Sequence, residues 1–265
     1  LKEVKTAQDA LNTSLADGRG VDIPFMMSLY PGKTEGDVIE ELGDLVLLDP
    51  VYALLGKAVY VSRQDFLSGD ILTKLDQVDL LQKEDNNLAD WRHYQTLLEA
   101  VKPRQIGLAD IAYRIGSRWI PKEVYGQFAY TVLLEEERPL DDPILADVIE
   151  VSPIDGTYTL SKVFTNRPVS EQEYTLGVKG SRYDSGRKVF ENLLNSNQPT
   201  ITKTVKEGDK QKQVTDAQRT SLLRSREADM QGLFQDFVLS SPEVQTLIAD
   251  TYNSLYNRTV SKTYD

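Results

Sequence analysis

Apolar residues recur every three to four positions along the first half of this chain, and past Pro143 they begin to alternate in twos. A helix presents the same face about every 3.6 residues and a strand every ~2, so the switch separates a helical part from a mixed one. Ala7, Leu11 and Leu15 mark a short helix ending near Gly18, and Asp22 opens a second through Phe25, Met26 and Leu29. Thr34, with Asp37 three residues on, has the form of a capping box for a third helix carrying Val38, Ile39 and Leu42, which Gly43 ends. Short apolar strands follow at 45–48 and 58–61. This order is the outline of a winged helix.

Ser62 with Asp65 predicts a longer helix carrying Phe66, Leu67, Ile71, Leu75 and Val78, broken by Asn86-Asn87. Trp91, Tyr94, Leu98 and Val101 line the next, Leu108, Ile111 and Ile115 a short one, and Pro121 starts one running through Val132. The run 135–143, rich in glutamate, aspartate and proline, reads as a linker, placing one part at 1–138 and another at 139–265. In the second part, 148–151 and 157–163 flank an Asp155-Gly156 turn. A second hairpin pattern, 200–205 and 210–214, flanks Glu207-Gly208-Asp209, and two long helices close the chain. The fold class expected is α+β and predominantly helical: a winged-helix-like N-terminal unit, a helical middle, small antiparallel hairpins and two long C-terminal helices.

Composition narrows the chemistry. The absence of cysteine excludes disulfides, thiolate catalysis and thiolate zinc sites, and fits a cytoplasmic protein. The apolar stretch 45–61 is broken by Asp49, Pro50 and Lys57, so no membrane span is expected. Net charge is −11, but it is unevenly spread: residues 179–226 hold eleven Lys/Arg against five Asp/Glu, a local net of +6. Any polyanion should therefore meet that segment.

Three motifs suggest catalysis and fall short of it. Pro31-Gly32-Lys33-Thr34 has the end of a phosphate-binding loop, but Met27 stands where such a loop needs its first glycine, so a helix cap is the simpler reading. Asp49-Pro50-Val51-Tyr52 is similar to the Asp-Pro-Pro-Tyr motif of amino-methylating DNA methyltransferases, with valine for the second proline; a strand-ending turn is the simpler reading. His93 is the one histidine, and without cysteine it cannot build an N/S metal site. The helix at 35–42 would be the reading helix of a winged helix, yet Glu35, Asp37, Glu40 and Glu41 give it only negative charge, so packing is its expected role.

The basic segment carries the functional case. Lys179, Arg182, Arg187 and Lys188 surround Tyr183, and Arg219, Arg224 and Arg226 follow at near-helical spacing. Cations interleaved with an aromatic suit a nucleic-acid backbone with a stacked base. The other reading is a docking face for the acidic N-terminal part of the chain, with no nucleic-acid contact at all.

In order along the chain, several short motifs resemble a known architecture: Val21-Asp22-Ile23-Pro24, Gly32-Lys33-Thr34-Glu35, Phe66-Leu67-Ser68-Gly69-Asp70, Trp119-Ile120-Pro121, Tyr183-Asp184 with Gly186-Arg187-Lys188, Phe234-Gln235-Asp236-Phe237, and the repeated Tyr252-Asn253, Tyr256-Asn257 and Tyr264-Asp265. The chain resembles the middle region of very large bacterial and phage proteins, often encoded on mobile elements, that join an adenine-specific DNA methyltransferase to a Swi/Snf-type superfamily 2 helicase. The resemblance implies a parent using ATP with magnesium and S-adenosylmethionine, whose catalytic residues and cofactors lie in flanking domains. Those two domains and DNA are the partners it implies. A start at Leu1 rather than Met agrees with an excised piece. The piece is then expected to be a non-catalytic connector that guides DNA; the alternative is a protein-interaction scaffold.

Overall fold

The computed structural model describes residues 3–263; Tyr264-Asp265, the last member of the tyrosine repeat, lies outside them. The chain is α+β and predominantly helical, as its apolar periods predict, and forms two compact units. One is Leu1–Gln105 with Ser254–Asp265; the other is Ile106–Asn253.

In the first unit, α1 (Ala7–Ala16), α2 (Ile23–Leu29) and α3 (Glu35–Leu42) bury Ala10, Leu11, Met26, Leu29, Val38 and Leu42 against one another. Each helix starts where a side chain takes up an orphan amide: the Asp22 carboxylate accepts from Phe25 N (3.0 Å), and Thr34 and Asp37 form the reciprocal capping box. Strand β1 (Val46–Leu48) pairs antiparallel with β2 (Tyr60–Ser62), Leu47 opposite Val61, completing the winged-helix order. Between them lies α4 (Pro50–Leu54), whose N-cap is Asp49, accepting from Val51 N at 2.9 Å. The Asp-Pro-Val-Tyr motif is thus a strand-ending cap.

The long helix expected from Ser62 is two helices, α5 (Arg63–Phe66) and α6 (Ile71–Lys83). Gly69 breaks it with φ of +76°, a conformation costly for any residue with a Cβ, and Asp70 caps the new start. The break frees Gly69–Asp70 as a short strand, β3, which pairs with Thr259–Val260 near the far end of the chain. Arg258 fixes that pairing through Asp70 (2.9 Å) and Thr73 (2.7 Å). Helix α7 (Trp91–Val101) packs Trp91, Tyr94 and Leu98 over Phe66 and Val78, with Tyr94 OH accepting from Leu48 N. His93 lies outside this core, 2.9 Å from Asp44.

The second unit is built on aromatic side chains. Helix α8 (Lys122–Phe128) continues as a π-turn, Ala129–Leu133, and sets Phe128 against Phe190 (5.4 Å), Phe234 (5.3 Å) and Phe237 (5.6 Å). Tyr125 is fully buried and donates its hydroxyl to the carbonyls of Arg114 and Ser117; burial pushes its pKa well above the usual phenol value. Gly126 lies flat against the Leu145 backbone. The acidic run read as a linker lies within this unit: Arg138 pairs with Glu136 and Asp142, and Arg167 pairs with Glu136. Leu108–Asp110 is a single 3-10 turn rather than a helix through Ile115. Strands β4 (Ile149–Val151) and β5 (Tyr158–Leu160) pair around the expected Asp155-Gly156 turn, and α9 (Lys162–Thr165), α10 (Glu171–Thr175) and α11 (Gly186–Leu194) follow. Strands β6 (Thr202–Glu207) and β7 (Lys210–Thr215) form the other expected hairpin. Helix α12 (Ala217–Ser240) supplies Leu223, Met230 and Phe234 to the core, and α13 (Pro242–Tyr256) adds Val244 and Ile248. Asn253, in the sequence's Tyr-Asn repeat, holds Ile106 by both backbone groups, at 2.8 and 2.9 Å.

Candidate nucleic-acid interface

The eight residues grouped by sequence occupy three different environments in the second unit. Ser170 caps α10 and thereby sets Glu173, which is fully buried. A tight loop then returns the chain: Val178 N donates to Tyr183 O (2.6 Å), Gly180 turns at φ +72°, and Gly177 touches the Asp184 backbone so closely that a Cβ would sit 2.3 Å from it. This loop delivers Ser185 to the start of α11, where Arg187 is buried and the next residue, Lys188, is exposed.

Arg187 points inward. It is 5% exposed, and all five of its N–H groups are used: Nε and Nη2 grip the two oxygens of Glu173, Nη1 donates to the carbonyls of Phe164 and Thr165, and Nη2 also donates to Pro168 O. A guanidinium with no donor left cannot take a phosphate. The expectation that Arg187 faces nucleic acid is therefore corrected: it staples α10 to α11. Tyr183 is corrected on the same ground, because its ring is buried in the core and covered by the Arg182 guanidinium at 5.1 Å, leaving no face for a base.

Arg224 and Arg226 are held by their own helix. Arg224 donates to Glu227 (2.7 Å) and to Pro199 O (2.7 Å), and Glu227 in turn accepts from Asn192 (2.7 Å), tying α12 to α11. Arg226 is half-buried beside Asp229 at 3.3 Å. Their near-helical spacing reports the geometry of α12 rather than a charged strip.

Lys179, Arg182, Lys188 and Arg219 are exposed. Arg182 and Lys188 line an open, polar hollow of ≈ 740 Å³ with Glu191, Asn195 and Asn197. Lys188 also borders a second hollow of ≈ 540 Å³ with Lys179 and Gly180, and Arg219 leans over Gly180, where a Cβ would lie 3.2 Å from its guanidinium. Lys188 has an exposed ion pair with Asp184 (2.9 Å), a contact worth little in water and easily exchanged for another anion. The structure thus brings together four of the eight expected residues.

Sequence reasoning passed over Lys203, Lys206, Lys210 and Lys212 on the β6–β7 hairpin, all of them exposed. Their signal was the scarcity of apolar side chains in these two strands, which hold only Val205 and Val214 among lysine, threonine, glutamine and glutamate. In the first unit, α3 presents exposed Glu35, Asp37, Glu40 and Glu41. Hydrogen bonds from the Thr34 backbone and side chain hold the Asp37 carboxyl below its ordinary range, so it stays charged. Among the described residues no cluster of acidic and histidine side chains could hold a metal ion, and no helix is long and apolar enough to cross a membrane.

Comparison with known families gives two matches. Residues 114–258, more than half of the chain, match the family described as Domain of unknown function (DUF8437). Residues 3–53 match the model described as Probable helicase, winged helix domain, which associates the N-terminal stretch with helicases and covers α1 to α3, β1 and most of α4. No curated protein and no solved structure matches the chain.

Proposed function

Since the chain belongs to the family described as Domain of unknown function (DUF8437), and its N-terminal stretch matches the winged helix domain of a probable helicase, we propose that it is a non-catalytic accessory region of an ATP-dependent DNA helicase. The match over residues 3–53 carries this reading. The collinear motifs support a finer form of it, in which the helicase is of Swi/Snf type and fused to an adenine-specific DNA methyltransferase. ATP with magnesium and S-adenosylmethionine would then be bound by those flanking domains. The connector would steer DNA with Lys179, Arg182, Lys188 and Arg219, a role supported by their exposure in an otherwise acidic chain.

The purified chain is expected to bind a duplex oligonucleotide weakly at low salt. With four or more phosphates neutralised, affinity should fall by at least about two orders of magnitude between 50 and 200 mM salt. Changing Lys179, Arg182, Lys188 and Arg219 together to alanine should cost at least about tenfold at the lower salt and flatten the slope. No binding by the wild-type chain, even at low salt, would sink the DNA role and leave the scaffold reading. The pure chain is also expected to hydrolyse no ATP and to transfer no methyl group to DNA; turnover of either kind would refute a non-catalytic role.

A further inference from the structure

The β6–β7 hairpin is folded without burying anything. Its six cross-strand pairs run from Thr202↔Thr215 to Glu207↔Lys210, and along both strands only Val205 and Val214 are even half-covered. A two-stranded ribbon standing in water is marginal by itself. This one is held at its root, where Asp216 N donates to Ile201 O (2.7 Å), Ile201 N donates to the Thr220 hydroxyl (3.0 Å), and Ile201 is buried in the core. At about 3.4 Å per residue it projects about 20 Å.

Its register sorts the side chains. Lys203, Val205 and Glu207 share one face with Val214, Lys212 and Lys210; Thr202, Thr204 and Lys206 share the other with Thr215, Gln213 and Gln211. The second face holds only hydroxyls, amides and one ammonium, with no carboxylate and no apolar side chain, and Gln213 already donates across it to Thr204 (2.7 Å). Lysines do guard exposed sheet edges against pairing with other strands. Edge protection does not explain a ribbon with one wholly hydrogen-bonding face.

We propose that this ribbon is a docking element for double-stranded DNA, lying along the major groove with its Thr/Gln/Lys206 face inward, while Lys203 and Lys212, on the outer face, bend their long stems sideways to the phosphates that flank the groove. The proposal rests on the DNA-handling reading above and assigns it a second, separate contact. A B-form major groove is about 12 Å wide and admits a two-stranded ribbon, and Thr, Gln and Lys are side chains that hydrogen-bond base edges there. The tip excludes entry end-on: Glu207 and Asp209 flank Gly208, and carboxylates at the point would meet phosphate first.

The test compares the intact chain with K203Q/K206Q/K210Q/K212Q, using a 20-base-pair duplex and fluorescence anisotropy. Circular dichroism should be unchanged, because none of the four lysines is buried. The variant should bind about tenfold or more weakly at 50 mM salt, with a salt slope lower by about 2. Methyl green, a major-groove ligand, should displace the wild-type chain, and netropsin, a minor-groove ligand, should not. Wild-type affinity in the quadruple lysine variant, or displacement by netropsin alone, would overturn the proposal. If that variant binds normally while the Lys179/Arg182/Lys188/Arg219 variant does not, the ribbon assignment fails and the function proposed above stands. If the wild-type chain binds no duplex, both fail.

Discussion

Replacing Arg187 by alanine should destabilise the second unit by roughly 3–5 kcal/mol, because it strands Glu173 as a buried charge without its partner. Glu173 is fully covered, and the guanidinium is its only counter-charge in an ion pair within the unit. Three carbonyls, those of Phe164, Thr165 and Pro168, would lose a donor at the same time. Lysine should recover only a minor part, since its single ammonium cannot span both carboxylate oxygens and the carbonyls as the planar fork does. The measurement is urea unfolding in a W91F background, where Trp119 alone reports, and reports on the second unit. The double change R187M/E173Q removes both charges and should be milder than R187A. A loss under about 1 kcal/mol for R187A would mean that the pair is solvated and the arginine available to a ligand after all.

The second large effect comes from a residue with no side chain. Gly126 lies in α8 at ordinary helical angles, so alanine there should raise intrinsic helix stability by up to about 1 kcal/mol. Space decides the opposite: an added Cβ would sit 2.2 Å from the Leu145 carbonyl oxygen and 2.8 Å from its carbon, and backbone cannot rotate away. G126A is therefore expected to cost about 3 kcal/mol or more, and G126V to prevent the second unit from folding. Gly232 supplies the control. It is an exposed residue inside α12 where an added methyl would meet nothing within 4 Å, so G232A should stabilise by about 0.5–1 kcal/mol. Thermal unfolding of the two variants should move in opposite directions. A neutral G126A would show that α8 and the Leu145 turn do not pack as described.

The parts of this fold that could be read in advance are those fixed within a few residues. Asp22, Thr34 and Ser62 announced helix starts because a cap acts across three positions, and Asp155-Gly156 announced a hairpin because the turn needs that backbone. Gly69 misled because its helical neighbours Phe66, Leu67 and Ile71 hold the right period on both sides; the strand that makes use of the break lies near the other end of the chain. The candidate site was half visible for a related reason. Lys, Arg and their spacing show where positive charge is, but not whether a carboxylate such as Glu173 or Glu227 is brought against it by the fold. Arg187 and Lys188 are neighbours in sequence, and only the pitch of α11 sends one to the core and the other to water.

The pairing of Gly69–Asp70 with Thr259–Val260 has a consequence for biosynthesis. Arg258 follows Asp70 by 188 residues, so a ribosome adding about 5–20 residues per second needs roughly 10–40 s to supply the missing clasp. Throughout that interval the leading unit is open at one edge, and the inserted one, Ile106–Asn253, receives its own last residue only five positions before Arg258. Both units therefore gain their closing residues within the same short stretch, α13 and the strand after it, at the end of a long wait.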